Sequence, residues 1–322
     1  MRKGQLVRSI ELALFQKVRK FSRLAVAVAI LASLIFAQFI ESSDNTWQVV
    51  IAVIALAIGI PHGALDHLVT LPKSSAIKMA SFIAVYVSVA IIAVIALLTW
   101  NVAGFIFVVA MSAVHFGIGD AAFISEIDRR TSDSKKFPRY SYAAAGGALP
   151  VVIPLVSDKS SAALERVNES LINWHQGFND ELLLLTLVIF AIALLRLLQK
   201  RRISDGIDLS LLYLLALTAP PLVAFAVYFG CWHAMRHTAR LTLVLPRSQK
   251  AFAEGRSTDA FLSAIWPGLP ALIGTFVVAG IVIAFRGGSV SDQFLWITLV
   301  IVWALTVPHM AVTARLDRKA LN

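Results

Sequence analysis

The sequence predicts an all-α, polytopic transmembrane helical bundle with about 8–10 membrane segments and both termini cytoplasmic. Three observations carry that expectation. Of 322 residues, 58% are hydrophobic and 15% charged, with a mean hydropathy of +0.77; a globular domain carries about 25% charged residues. The apolar residues gather in runs near the length of about 20 residues that crosses hydrocarbon as a helix. The Lys and Arg residues fall between those runs, mostly in alternate gaps.

Residues 1–23 are basic, and Gln5 to Lys20 reads as an amphipathic interfacial helix on an anionic leaflet. No small-residue cleavage site stands out there. Ten apolar segments follow: 24–41, 47–70, 79–99, 101–120, 141–157, 181–198, 207–219, 221–244, 260–285 and 292–312. The weakest are 141–157 and 207–219; the second is short and ends at Pro220-Pro221, as a half-helix or re-entrant piece would. A single integral-membrane domain over 1–322 is expected, with hydrophilic loops at 121–140 and 158–180. The formal net charge of +10 is not gathered on one face, so it points to cytoplasmic loops and not to nucleic acid. The single cysteine, Cys231, excludes an intramolecular disulfide and a cysteine-based metal cluster.

With the N-terminus inside, alternation puts the basic N-terminal stretch, Lys73 and Lys78, the run from Arg129 to Arg139, Arg196 with Lys200 to Arg202, Arg247, Lys250 and Arg256, and Arg315, Arg318 and Lys319 on the inner side. The outer gaps hold only Lys159, Arg166 and Arg286. Were 207–219 not to span, Arg315, Arg318 and Lys319 would be outside, against the charge rule.

Six of the seven histidines lie in apolar segments, in four short motifs: Pro61-His62-Gly63-Ala64-Leu65-Asp66-His67, Val114-His115-Phe116-Gly117, Trp232-His233-Ala234-Met235-Arg236-His237 and Pro308-His309-Met310. Ionisable residues at membrane depth are costly and mark function by default. The topology sets all six at similar depth on four parallel helices; His175 falls in the outer loop as an ordinary solvated histidine. His233 and His237 are four apart, which on a helix puts both rings on one face about 6 Å apart. His62 and His67 diverge by ~140° at 3.6 residues per turn, so one of them belongs to the surrounding shell. His62, flanked by Pro61 and Gly63, is the better ligand candidate. Asp66 and Asp120 are the acids near these motifs, each able to take the second N–H of a ligating imidazole. Arg236 can pair with either to neutralise buried charge. Phe116, Phe225, Tyr228, Phe229, Trp232, Trp303 and Met310 are candidate pocket-lining residues; bundle packing is their plainer role. Imidazole ligands without thiolates leave zinc, copper, iron and nickel open. An all-histidine set with free positions suits ferrous iron and O2, which like apolar substrates concentrates in hydrocarbon.

These motifs resemble the Brp/Blh family of bacterial and archaeal membrane β-carotene 15,15′-dioxygenases. The first motif is specific; the others follow in the family's order, so the resemblance covers 47–312. It implies cleavage of the central double bond of β-carotene or a related carotenoid with O2 to two all-trans-retinal, in the cell membrane. It implies Fe(2+) held by His62, His115, His233 and His237, with His67 and His309 left to the surrounding shell, and a retinal-binding opsin as candidate recipient of the product. Other classes remain in view. Desaturase-like diiron enzymes carry cytosolic HxxHH clusters absent from this sequence. A b-type haem protein would show a Soret band. An ion transporter using Asp66 and Asp120 would cleave no carotenoid.

Overall fold

Within hydrocarbon a backbone N–H or C=O without a partner is expensive, so each apolar run closes its own hydrogen bonds as a helix. The computed structural model describes residues 3–36, 46–71, 75–131, 135–286 and 290–321, and their regular elements are all helical. The order is α1 (Lys3–Phe36), α2 (Thr46–Gly63), α3 (Asp66–Thr70), α4 (Ala76–Thr99), α5 (Asn101–Thr131), α6 (Arg139–Val156), α7 (Ser160–Val167), α8 (Asn179–Gln199), α9 (Ile203–Thr218), α10 (Pro221–Ala226), a π-helical stretch (Val227–Ala234), α11 (Met235–Leu241), α12 (Pro246–Ala253), α13 (Ser257–Leu262), α14 (Leu269–Arg286) and α15 (Val290–Leu321).

Six stretches among the described residues are long and apolar enough to cross a membrane: Thr46–Thr70, Ala76–Thr99, Asn101–Thr131, Asn179–Gln199, Ser257–Phe285 and Gln293–Leu321. The pair α6 and α7, bent by 89°, makes a seventh if counted as one span. The other predicted segments are helical too. Segment 24–41 is the apolar half of α1 as far as Phe36, its last residues lying outside the described ones. Segment 207–219 falls in α9, whose 16 residues make a rod of about 24 Å, short of a full span. Segment 221–244 changes hydrogen-bond register across the π stretch.

Burial divides the spans by role. Only 11% of the apolar window of α4 is buried, against 50% for α5 and 56% for the last span. So α5 and α15 form the interior, while α4 turns Ile91, Ile92 and Ile95 outward, as a lipid-facing helix does.

Two regions expected to be peripheral are built into the bundle. The N-terminal stretch is not a separate surface helix: it continues without a break through α1, with Leu14, Phe15 and Val18 buried in the core. The segment 158–180, expected as a hydrophilic loop, folds into α7 and a 3-10 turn (Glu169–Leu171) that bury Ala163, Leu164, Val167 and Leu171. Segment 121–140 likewise begins as helix, since α5 runs on to Thr131.

Two close approaches fix the centre. A Cβ at Gly117 would lie 1.9 Å from the Ala143 carbonyl oxygen, and one at Gly147 would lie 1.8 Å from that of Ala113. Glycine on both helices is what lets the α5 and α6 backbones touch. A buried charge belt ties α1 and α9 to the rod 221–241. Asp208 takes Arg19 at 2.9 Å, Arg23 at 2.5 Å and Arg236 at 3.4 Å. Asp205 takes Arg19 at 2.5 Å, and Arg240 pairs with Asp317 at 2.7 Å.

Gly147→Ala is expected to force α5 and α6 apart and cost about 1–3 kcal/mol, the usual penalty of overpacking, read as a lower thermal unfolding midpoint in detergent. Asp208→Asn removes one negative charge shared by Arg19, Arg23 and the buried Arg236, and losing one partner of a buried pair costs about 3–5 kcal/mol. Its expected result is a larger drop in that midpoint than for Glu254→Gln, whose carboxylate is solvent-exposed and paired with Arg256.

Candidate metal centre

Each histidine reaches the centre by a local device. Pro61 stands in the last turn of α2, where a Cβ at Gly268 would lie 2.3 Å from the Pro61 carbonyl oxygen, so the chain entering α14 presses on this turn. The helix stops at Gly63, and a short turn through Ala64 and Leu65 leads into α3. That break separates His62 from His67: His62 faces the bundle centre, while His67 Nδ1 donates to the Ala64 carbonyl at 3.1 Å. His115 sits midway along α5, buried with Phe116. His233 lies in the last turn of the π stretch and His237 in the first turn of α11. A π-turn inserts a residue into the helical register and is a frequent mark of functional sites. His309 follows Pro308 in α15.

Five of these rings gather. Ring centroids are 5.1 Å apart for His115–His233, 5.2 Å for His115–His309, 5.3 Å for His62–His237, 5.4 Å for His237–His309, 5.5 Å for both His62–His233 and His62–His309, and 6.0 Å for His233–His237. The last agrees with the spacing expected for an HxxxH pair. His175 lies apart in the segment after α7, edge-on to Trp174 and accepting from the Gly177 N–H.

The donor atoms say what the cluster can hold. His62 donates from Nδ1 to the Gly59 carbonyl, turning its other nitrogen to the cluster. His309 Nδ1 meets both oxygens of Asp66 at 2.9 Å, and the Tyr86 hydroxyl donates to the same carboxylate at 2.8 Å. His233 Nε2, His309 Nε2 and both nitrogens of His237 are buried with no hydrogen-bond partner among the described residues. Such orphans cost about 1–3 kcal/mol each, and a cation shared between the rings relieves them. No three His, Cys, Asp or Glu side chains among the described residues already grip a common point. The ring spacing nevertheless suits one: a metal–nitrogen bond of about 2.1 Å puts a centroid ~3.2 Å from the ion, so rings around it stand roughly 4.5–6.5 Å apart. In their spacing and their unpartnered donors, these residues fit an imidazole-bound metal.

Asp120 accepts from Trp232 Nε1 at 2.5 Å and lies 3.9 Å from Arg236, whose guanidinium is 3.5 Å above the Trp232 ring. Arg236 therefore pairs with Asp120 and Asp208, and Asp66 goes to His309. Trp232 is fully buried in this stack and lines neither cavity beside the histidines, and Met310 lines neither. The other aromatics do. A cavity of about 330 Å³ is lined by His62, His115, His309, Tyr86, Phe116 and Phe229. A second, of about 110 Å³, is lined by Phe116, Phe225, Tyr228, Phe229 and Trp303, with Leu164 of α7 at its far wall. Phe116, Phe229, Val302 and Thr306 are common to both, so the two are lobes meeting beside the histidines. Phe225 stacks on Phe229 at 5.6 Å, and Phe116 lies 4.4 Å from His233.

Sequence reasoning missed Tyr86, Asp208 and the α7 wall. Asp208 carried a signal, an acid at the head of an apolar run; Tyr86 carried none.

The family model described as beta-carotene 15,15′-dioxygenase matches residues 51–317, which include all four histidine motifs. The chain is also similar to a beta-carotene 15,15′-dioxygenase of uncultured marine bacterium 66A03, 29% identical over 189 residues. That similarity covers 56% of this chain and 64% of the relative, less than two thirds of its length. No solved structure matches.

Proposed function

Because this chain belongs to the beta-carotene 15,15′-dioxygenase family, we propose that it cleaves β-carotene or a related carotenoid at the central 15,15′ double bond. One O2 is consumed; each carbon of the broken bond takes one oxygen atom, giving two all-trans-retinal. In this reading Fe(2+) is held by His62, His115, His233 and His237. The observation that carries it is the meeting of imidazoles from four separate helical stretches beside an apolar two-lobed cavity.

The iron, when bound, supplies the oxygen activation that no side chain can; the chain supplies position and dryness. Ile83 and Ala271 line the larger lobe and are exposed on the lipid side of α4 and α14, so an apolar rod enters there laterally from the bilayer. The lobes take the two halves of a long symmetric molecule, and the junction at Phe116 and Phe229 sets its midpoint beside the histidines. Hydrocarbon walls exclude water, and orientation alone is worth several powers of ten in rate. In this reading both termini are cytoplasmic, which the basic gaps support, the membrane is the cell membrane, and a retinal-binding opsin is the candidate recipient of the product.

His233→Ala is expected to lose bound iron and retinal formation together, measured by metal analysis and by pigment chromatography from β-carotene-producing cells. His175→Ala should change neither; full retinal output from His233→Ala would refute the reading. Phe229→Ala should loosen the junction, with kcat/KM down by about tenfold or more and off-centre apocarotenals appearing beside retinal in the chromatogram.

A further inference from the structure

We propose that His309 is a fifth imidazole ligand of the metal, oriented by Asp66, so that the centre is a five-histidine one; this rests on the metal reading above and extends it. The first ground is position. His309 stands 5.2, 5.4 and 5.5 Å from His115, His237 and His62, within the range spanned by the other four rings among themselves. His115, His233, His237 and His309 form a closed four-membered circuit with sides of 5.1, 6.0, 5.4 and 5.2 Å. His62 stands 5.3–5.5 Å from three members of that circuit, His233, His237 and His309. Take His309 away and the circuit opens.

The second ground is the hydrogen-bond pattern. A metal-bound histidine commonly donates its remote N–H to a carboxylate, which fixes the tautomer and sharpens the donor on the other nitrogen. His309 does this from Nδ1 to both Asp66 oxygens, and Tyr86 on α4 holds that carboxylate in turn. Nε2 is buried without a partner among the described residues. The competing role is a buried imidazolium–carboxylate pair. That role needs an acceptor for a second N–H at Nε2, and none is present among the described residues. A neutral ring with its Nε2 lone pair directed at a cation satisfies both nitrogens. The turn at Gly63 packs beside this ring: a Cβ there would be in ordinary contact, 3.7 Å from His309 Nδ1.

The test uses the full chain purified in detergent and loaded anaerobically with Fe(2+). X-ray absorption at the iron edge should count five imidazoles in the wild type. His309→Gly should count four and bind Fe(2+) roughly 10–100-fold more weakly, and Asp66→Asn should weaken it in the same direction. [15N]imidazole added to His309→Gly should refill the position and appear as a 15N coupling in pulsed EPR of the ferrous–nitrosyl form, a signal that a purely structural role would not produce. Should His309→Gly aggregate, His309→Gln takes its place, and the wild-type count decides alone. Four imidazoles in the wild type, or wild-type iron affinity and spectrum in the His309 variant, overturn the proposal while leaving the four-histidine reading standing. A wild type that takes up no Fe(2+) overturns that reading itself.

Discussion

Five imidazole rings packed against one another in an apolar interior leave nitrogen lone pairs and N–H groups that water cannot reach, and that requirement organises the rest of the molecule. A protein can meet it by supplying acceptors for each ring or by supplying one cation for all. This chain does the first on the outer side of the cluster, through the Gly59 carbonyl for His62 and Asp66 for His309. For His233 Nε2, His309 Nε2 and both nitrogens of His237, no partner stands among the described residues. The asymmetry is what gives the centre its chemical meaning, because a set of histidines serving only to knit helices would be satisfied on both sides.

Holding the rings there takes three unlike devices. Glycines 117 and 147 bring α5 and α6 into backbone contact and so fix the depth and rotation of His115, two residues away. The π stretch re-registers the rod 221–241 so that His233 and His237 stack at 23° and the aromatic residues before them fall along the cavity. The charge belt of Arg19, Arg23 and Arg236 with Asp205 and Asp208 clamps that rod to α1 and α9. Buried pairs of this kind contribute little net stability relative to apolar packing, but they penalise any other register heavily. That suits a centre whose donors must be placed to a fraction of an ångström.

Much of this was legible in the residues. The all-helical membrane class followed from composition and run length, because hydrocarbon admits only structures that close their own hydrogen bonds. The close pairing of His233 with His237 followed from helix periodicity, and the parting of His62 from His67 followed from the same arithmetic, although the chain accomplishes it with a break after Gly63. Asp66 was expected to take the second N–H of a ligating imidazole, and the structure sets it against His309. What sequence could not assign was the partner: Asp66 and His309 lie 243 positions apart. Trp232 shows the limit from the other side. Its neighbours suggested a pocket wall, yet its indole N–H belongs to Asp120 and its face to Arg236.

The sequence by itself determined that the chain is a helical membrane protein, that its histidines are held at costly depth in four motifs, and which family those motifs resemble. These are properties of composition, local period and short-range order, and they survive without knowing who touches whom. Only the tertiary structure decided that five rings and not four converge, that α1 and α7 are part of the bundle, and that two apolar lobes meet at Phe116 and Phe229. Each of those depends on which faces of distant helices pack together, and that choice is made by close backbone approach and by buried charges finding one another across the chain.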